Sequence, residues 1–463
     1  MSDTWLKYRR EHPRLLLFSI FVAWKLLIVL VALASPGLGY DTSTSLLPWY
    51  DGTQSVLSAT LAAPQNQWLK FVRWDAVYFT HIANQGHVYE QEWAFGIGLS
   101  SVLSWIGRSE SMSNFRRSVT DADNGVDLPA YGICSGPNAF TVAGVIVSHT
   151  AHFLAVILLF ELSTSLLEDN KKSYISFTAA ALHIFSPAGI FLSAPSTESI
   201  FAPLSFLGFW AYLHAIRCFN HAKILTGCLN IILAGLAFGL ATIIRSNGIL
   251  AGIPFLIEAV TITLTILSRG LSLSRITRLA SIVVGGLLVG LGMVAPQFIA
   301  YQEYCADRAS SERRPWCEWS LPSIFTFVQS HYWNVGPFRY WTLSNVPLFL
   351  LAGPTLGLLT YSAAAVLRTP ALVKGGAVSH DITALQKKLM ASLALPQLML
   401  AILAFSSYHV QIITRISSGY PLWYIWLAAK ATDEPNRVVI VIRWMIIYAL
   451  VQAGLYASFL PPA

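Results

Sequence analysis

Asp75 stands directly after Trp74 in the run Phe71–Phe79 (FVRWDAVYF), where an apolar stretch begins. A carboxylate beside an indole suits one kind of chemistry. The ring offers a platform for a sugar, and the acid takes the proton of a hydroxyl as that oxygen forms a new bond. The plain alternative is a helix N-cap or a partner for Arg73. Glu90 and Glu92 follow in Tyr89–Phe95 (YEQEWAF) as candidates for orienting an acceptor or sugar. Two acids two apart on a helix do not face each other, so a metal pair is weakly indicated. Three further polar segments interrupt apolar sequence: Ser193–Ser199 with Glu198, Ile244–Gly248 with Arg245, and Ser407–Arg415 with His409, Gln411 and Arg415. Glu198 is a further candidate for sugar or acceptor contact. Arg245 and Arg415 can each donate two parallel hydrogen bonds to a phosphate; pairing with Glu198 or with a helix end is the alternative. His331, His409 and Gln411 join them as candidate phosphate ligands. Asp121 and Asp123 have the spacing of a metal–nucleotide motif within a polar stretch, and no metal site is expected there.

The elements that must position these residues follow from composition. Of 463 residues, 55% are hydrophobic and 11% charged, and the mean hydropathy is +0.56. A soluble domain carries about 25% charged residues, so this chain lacks the polar surface to cover a soluble body of its size. With only 5 Cys it is no secreted disulfide scaffold. An all-α polytopic membrane protein remains. The net charge of +7 needs no nucleic acid to explain it, because membrane proteins place Lys and Arg in cytoplasmic loops.

Apolar runs long enough to cross a bilayer predict about 11 spans. They lie near Leu15–Ala34, Thr141–Phe160, Tyr174–Ser193, Ile200–Ile216, Ile224–Ile244, Ile249–Leu267, Leu279–Ala300, Ser344–Leu367, Leu389–Phe405, Ile416–Ala429 and Val438–Leu460. A cytosolic N-terminus puts the greater number of Lys and Arg in short cytosolic loops, as the positive-inside rule requires. The opposite face then receives two long loops, residues 35–140 and 301–345, and all the candidate residues above. Residues 108–129 read as a flexible polar insertion in the first loop, and residues 68–105 as amphipathic helices on the membrane surface. Cys305 and Cys317 share the second loop, where an oxidising lumen would permit a disulfide. Lys25, His149, His152 and Glu258 fall inside spans and read as helix–helix or lipid-boundary contacts. There is no Walker A loop, zinc-protease motif or nucleophile elbow, so nucleotide-driven pumping is disfavoured.

The ordered set FVRWDAVYF, YEQEWAF, Phe185–Phe201 (FSPAGIFLSAPSTESIF), Arg245–Gly248 (RSNG), Pro315–Trp319 (PWCEW), Tyr332–Gly336 (YWNVG) and His409–Arg415 (HVQIITR) resembles the GPI mannosyltransferase 2 family. The match runs from about residue 71 to residue 415, departing at the polar insertion. The resemblance implies a single catalytic domain over residues 1–463 of GT-C type, in the endoplasmic reticulum membrane with a luminal active site. It implies dolichyl-phosphate mannose as donor and a mannosyl-glucosaminyl-acylphosphatidylinositol lipid as acceptor. The product would carry an α-1,6-linked second mannose. Trp74 and Asp75 match the family's functional Trp-Asp pair. No cofactor is implied beyond the lipid donor, and a small membrane partner subunit is expected. Two other readings compete. A flippase for lipid-linked sugars would string its charges along a path across the bilayer, whereas here they collect on one face. A sibling enzyme would use the same donor on a different acceptor.

Overall fold

The computed structural model describes residues 11–36, 67–107, 137–167, 172–309, 312–369, 384–458 and 460. The polar insertion at 108–129, with Asp121 and Asp123, lies outside them. Fifteen α-helices follow in chain order: α1 Pro13–Ala34, α2 Asp75–Gln85, α3 Ile97–Gly107, α4 Pro137–Leu166, α5 Lys172–Ile184, α6 Thr197–Asn220, α7 Ile224–Ile244, α8 Gly252–Arg269, α9 Leu273–Tyr304, α10 Ile324–His331, α11 Val346–Arg368, α12 Ala384–Ser406, α13 Ile413–Ile416, α14 Leu422–Asp433 and α15 Pro435–Ala457. Short 3-10 turns join several of them. The all-α, multi-span expectation is borne out.

The number of spans differs from the sequence reading. Among the described residues, nine helices are long and apolar enough to cross a membrane. The expected spans at 174–193 and 416–429 are instead the short helices α5 and α14, of 13 and 12 residues. At 1.5 Å per residue such a helix reaches about 20 Å, short of the roughly 30 Å hydrocarbon core. Hydropathy counts apolar side chains but does not see where a helix stops. Ser186-Pro187 ends α5, since the residue before proline disfavours helical geometry, and Pro421 opens α14 only after the short α13 and the 3-10 turns on either side of it. Most of each short helix is buried, and residues 185–196 and 407–421, broken into 3-10 turns and the one-turn α13, run between neighbouring helices. Non-helical backbone at membrane depth is tolerated where protein surrounds it.

Close helix approach carries much of the packing. A Cβ on Gly235 of α7 would stand 2.7 Å from the Gly285 backbone of α9, and one on Gly292 would stand 2.3 Å from the Gly239 carbonyl oxygen. Lipid offers no hydrophobic drive between helices, so small residues that let backbones touch supply the contact. Farther along, buried Glu258 of α8 pairs with Arg278 of α9 and Lys388 of α12. Lys25 of α1 donates to the Leu192 carbonyl at 2.6 Å and to the Ser193 hydroxyl at 2.8 Å. His152 of α4 lies 3.3 Å from the His183 carbonyl oxygen of α5. Glu258 and His152 are helix–helix contacts, whereas Lys25 ties α1 to the irregular chain at residues 192–193.

Gly292→Ala should cost about 1–3 kcal/mol through overpacking, read as a lower unfolding temperature in detergent. Gly290→Ala, whose Cβ would meet nothing within 4 Å, should leave that temperature unchanged.

Candidate active site

The Trp-Asp motif is held from below by the first and last spans. Lys70 Nζ donates to the carbonyls of Leu33 and Ser35 at 2.7 and 2.8 Å, closing the C-terminal end of α1. The Tyr456 hydroxyl of α15 lies 3.0 Å from the carbonyl oxygens of both Phe71 and Arg73 and accepts from the Arg73 N–H at 3.3 Å. Trp74 then takes φ 53° and ψ −125°. That left-handed turn costs a bulky residue about 1–3 kcal/mol and persists only where the surroundings over-determine it. It makes Asp75 the first residue of α2, where the helix dipole favours a negative charge.

Four segments remote in sequence join in a chain of charges that starts at this carboxylate. Asp75 Oδ2 is 2.6 Å from Arg415 Nη2. Arg415 Nε is 3.4 Å from Glu198 Oε1, and Arg245 Nη1 donates to that same oxygen at 2.7 Å and to the Thr197 hydroxyl at 2.8 Å. The Ser196 hydroxyl donates to the other Glu198 oxygen. The Glu198 side chain is 1% exposed and that of Asp75 is 30% exposed. The result is a line, Asp75–Arg415–Glu198–Arg245, of two acids and two bases with one end open. Asp75 Oδ1 has no partner among the described residues.

That open end faces a cavity of about 1180 Å³, above the ~300–1,000 Å³ usual for one small ligand. Trp74, Asp75, Arg245, Asn247, His409 and Arg415 line it, with Tyr78, Phe95, Trp333 and Tyr408. Tyr78 and Phe95 stack at 4.6 Å, and Trp333 meets Phe95 edge-on at 5.6 Å. The wall at Phe95 sits on the end of α7, since a Cβ on Gly96 would lie 2.1 Å from the Ile244 carbonyl oxygen. Aromatic faces beside ion-paired acids and bases can seat a sugar and move a proton from its hydroxyl.

Not every sequence candidate reaches the cavity. Glu198 lies behind it as the shared counter-charge of Arg245 and Arg415, and its burial leaves it no access to a sugar. Glu90 is outside it as well. Its oxygens accept from Arg314 Nε and Nη2 at 2.9 and 2.5 Å, from Trp316 Nε1 at 2.7 Å and from the Tyr332 hydroxyl at 3.3 Å. Glu90 therefore pins the second loop to the first, beside the disulfide between Cys305 and Cys317. Glu92 touches the cavity, but its carboxylate is taken by His81 Nδ1 at 2.5 Å and the N–H groups of Val88 and Tyr89 at 2.8 and 3.0 Å. His331 stacks on Phe327 at 4.9 Å, and neither it nor Gln411 lines the cavity. His409 does, with Nε2 2.8 Å from the Trp333 carbonyl oxygen. The sequence reading passed over Tyr78, His81, Asn247 and Trp333. All four lie within the quoted motifs or one or two residues from them, the only signal that could have found them. No group of three or more metal-ligating side chains occurs among the described residues.

The sequence matches the Mannosyltransferase (PIG-V) family over residues 11–463. A protein named GPI mannosyltransferase 2 from Gibberella zeae is 40% identical over 458 residues, covering 98% of this chain and 99% of that one. Its namesake from Aspergillus oryzae is 40% identical over 457 residues, covering 96% and 94%. The one from Yarrowia lipolytica is 33% identical over 448 residues, covering 96% and 98%. The crystal structure of the Archaeoglobus fulgidus oligosaccharyltransferase aligns with 98% of this chain and 55% of its own at 13% identity and a TM-score of 0.43, too distant to carry weight.

Burial opposes ionisation of Glu90, but the hydrogen bonds from Arg314 and Trp316, and then Tyr332, outweigh it and hold the carboxyl below its ordinary value. A depressed folded value means the tie stabilises the protein above the unfolded carboxylate value and fades as pH falls toward the folded one. Glu90→Gln should therefore lower the unfolding temperature at neutral pH, and its deficit relative to the parent should narrow as the pH falls through and below the ordinary carboxylate range. A deficit independent of pH would contradict this account.

Proposed function

The chain belongs to the PIG-V mannosyltransferase family, and from that premise we propose that the cavity transfers mannose from a lipid phosphate to a glycolipid during GPI-anchor assembly. The donor on this reading is dolichyl-phosphate mannose. The acceptor is a mannosyl-glucosaminyl-acylphosphatidylinositol, and the product gains an α-1,6-linked second mannose. The names of the relatives support the GPI substrate. The observation that carries the proposal is the Asp75–Arg415 pair at the wall of a cavity large enough for two sugar head groups.

The chemistry is a single displacement. Asp75 takes the proton of the acceptor's 6-hydroxyl as that oxygen bonds to the anomeric carbon of the donor. The bond from that carbon to the phosphate oxygen breaks, and dolichyl phosphate leaves with the bonding pair. One displacement inverts the centre, so a β-linked donor gives an α product without an enzymic nucleophile. Arg415 holds Oδ2 and so orients the carboxylate, leaving Oδ1 for the proton. Each guanidinium has five N–H donors, of which the carboxylates occupy some, so Arg245 and Arg415 have others for the departing phosphate. Trp74 forms the floor for the sugar. A phosphate leaves well without a metal, and the aromatic walls keep out the water that would hydrolyse the donor.

The membrane setting belongs to the same proposal. The endoplasmic reticulum bilayer holds the chain with its N-terminus in the cytosol, and the cavity opens to the lumen. The family expectation of a small membrane partner subunit extends to this chain.

Asp75→Asn keeps the shape and removes the base. In purified enzyme it should lower transfer by about 10²–10⁴-fold while donor binding persists; near-normal transfer would rule out Asp75 as base. Arg415→Lys loses the planar fork, and should raise the KM for the donor more than that for the acceptor. Equal changes in both would remove Arg415 from the phosphate site.

A further inference from the structure

Three arginines line the cavity: Arg245, Arg339 and Arg415. Arg245 and Arg415 are each held by carboxylates. Arg339 is exposed and has no carboxylate partner among the described residues. Its backbone, by contrast, is firmly placed. Residues 336–341 lie across the end of α12, where the Ser407 carbonyl accepts from the Gly336 N–H at 3.3 Å and that of Ser406 from the Phe338 N–H at 2.6 Å. The Trp341 indole N–H donates to the Phe405 carbonyl at 2.8 Å. The Arg339 stem crosses Gly336, where a Cβ would stand 3.0 Å from both its Cδ and its Nε.

Two aromatic residues near Arg339 face outward, while Tyr340 turns inward and stacks on His409. Phe338 is 62% exposed and Trp341 49%, the pattern of aromatic residues at a membrane–water interface. Beyond them Leu343, Val346 and Leu350 continue an exposed apolar surface along the start of α11. A cavity-lining cation thus sits between a polar chamber and an apolar outer wall. A lipid-linked sugar has the same order of parts, with sugar, then phosphodiester, then hydrocarbon.

We propose that Arg339 binds the phosphodiester of a lipid-linked substrate at the mouth of the cavity, its guanidinium donating two hydrogen bonds to the phosphate oxygens while the hydrocarbon runs out past Phe338 and Trp341. The inference rests on the mannosyl-transfer reading above and adds a residue to it. Both substrates of that reading carry a phosphodiester.

The test uses the full chain in detergent, with each lipid varied while the other is saturating. Arg339→Gln should raise the KM for one of the two lipids roughly ten-fold or more, as loss of a charge-assisted hydrogen bond does, and the change in kcat should be smaller. The lipid whose KM moves is the one held. Unchanged KM for both lipids, an equal rise in both, or a fall in kcat alone would overturn the proposal. Should the Gln variant fail to fold, Arg339→Lys decides, since a point charge replaces the fork. A several-fold rise in one KM supports the assignment, and parental KM values for both lipids overturn it. If the parent chain itself transfers no mannose, the mannosyl-transfer reading fails rather than the role of Arg339.

Discussion

Glu198 is the charge on which the site depends. Its carboxylate is buried at the first turn of α6 and neutralises Arg245 from the end of α7 and Arg415 from the turns before α14. None of these groups could stay ionised alone at that depth without a penalty of several kcal/mol. The three segments therefore settle together. Arg415 then reaches past Glu198 to Asp75, so the motif on the first loop takes its place from the same cluster. Two acids facing two guanidinium groups leave the line nearly neutral, able to admit an anion without first losing one.

The broken helices serve this arrangement. A continuous helix presents one side chain to a given point about every turn, and its polar backbone is closed on itself. The irregular segments at 185–196 and 407–421 bring Glu198 and Arg415 to one point from two directions. Such segments survive at membrane depth only because protein surrounds them, α4, α6 and α15 packing on the first and α6, α11 and α12 on the second. Lys25, an ammonium within an apolar span, donates to the end of the first of these segments, which accounts for a charge that hydropathy alone leaves unexplained.

The second loop follows a similar logic outside the bundle. Glu90 gathers Arg314, Trp316 and Tyr332, and the Cys305–Cys317 disulfide closes the loop that carries the first two. This brings Trp333 against Phe95 and Arg339 to the rim of the cavity. A residue that reads as a substrate ligand in one dimension is in three dimensions the anchor of part of the cavity wall.

The sequence by itself determined that the chain is a helical membrane protein, because a long apolar run in lipid must satisfy its backbone internally and a helix does so locally. It also determined the family, through motifs whose order survives without coordinates, and it singled out Asp75, Trp74, Arg245, His409 and Arg415, all of which line one cavity. Only the tertiary structure decided which charges meet. Glu90 and Glu198 look like Asp75 in the sequence, each an acid among aromatic or small polar residues, yet both are consumed by arginines before a substrate could reach them. Arg339 carried no signal at all, since its distinction is that no carboxylate among the described residues pairs with it. The physical reason is common to these cases: a helix obeys interactions within a few residues, whereas the availability of a charge depends on partners brought in from elsewhere in the chain.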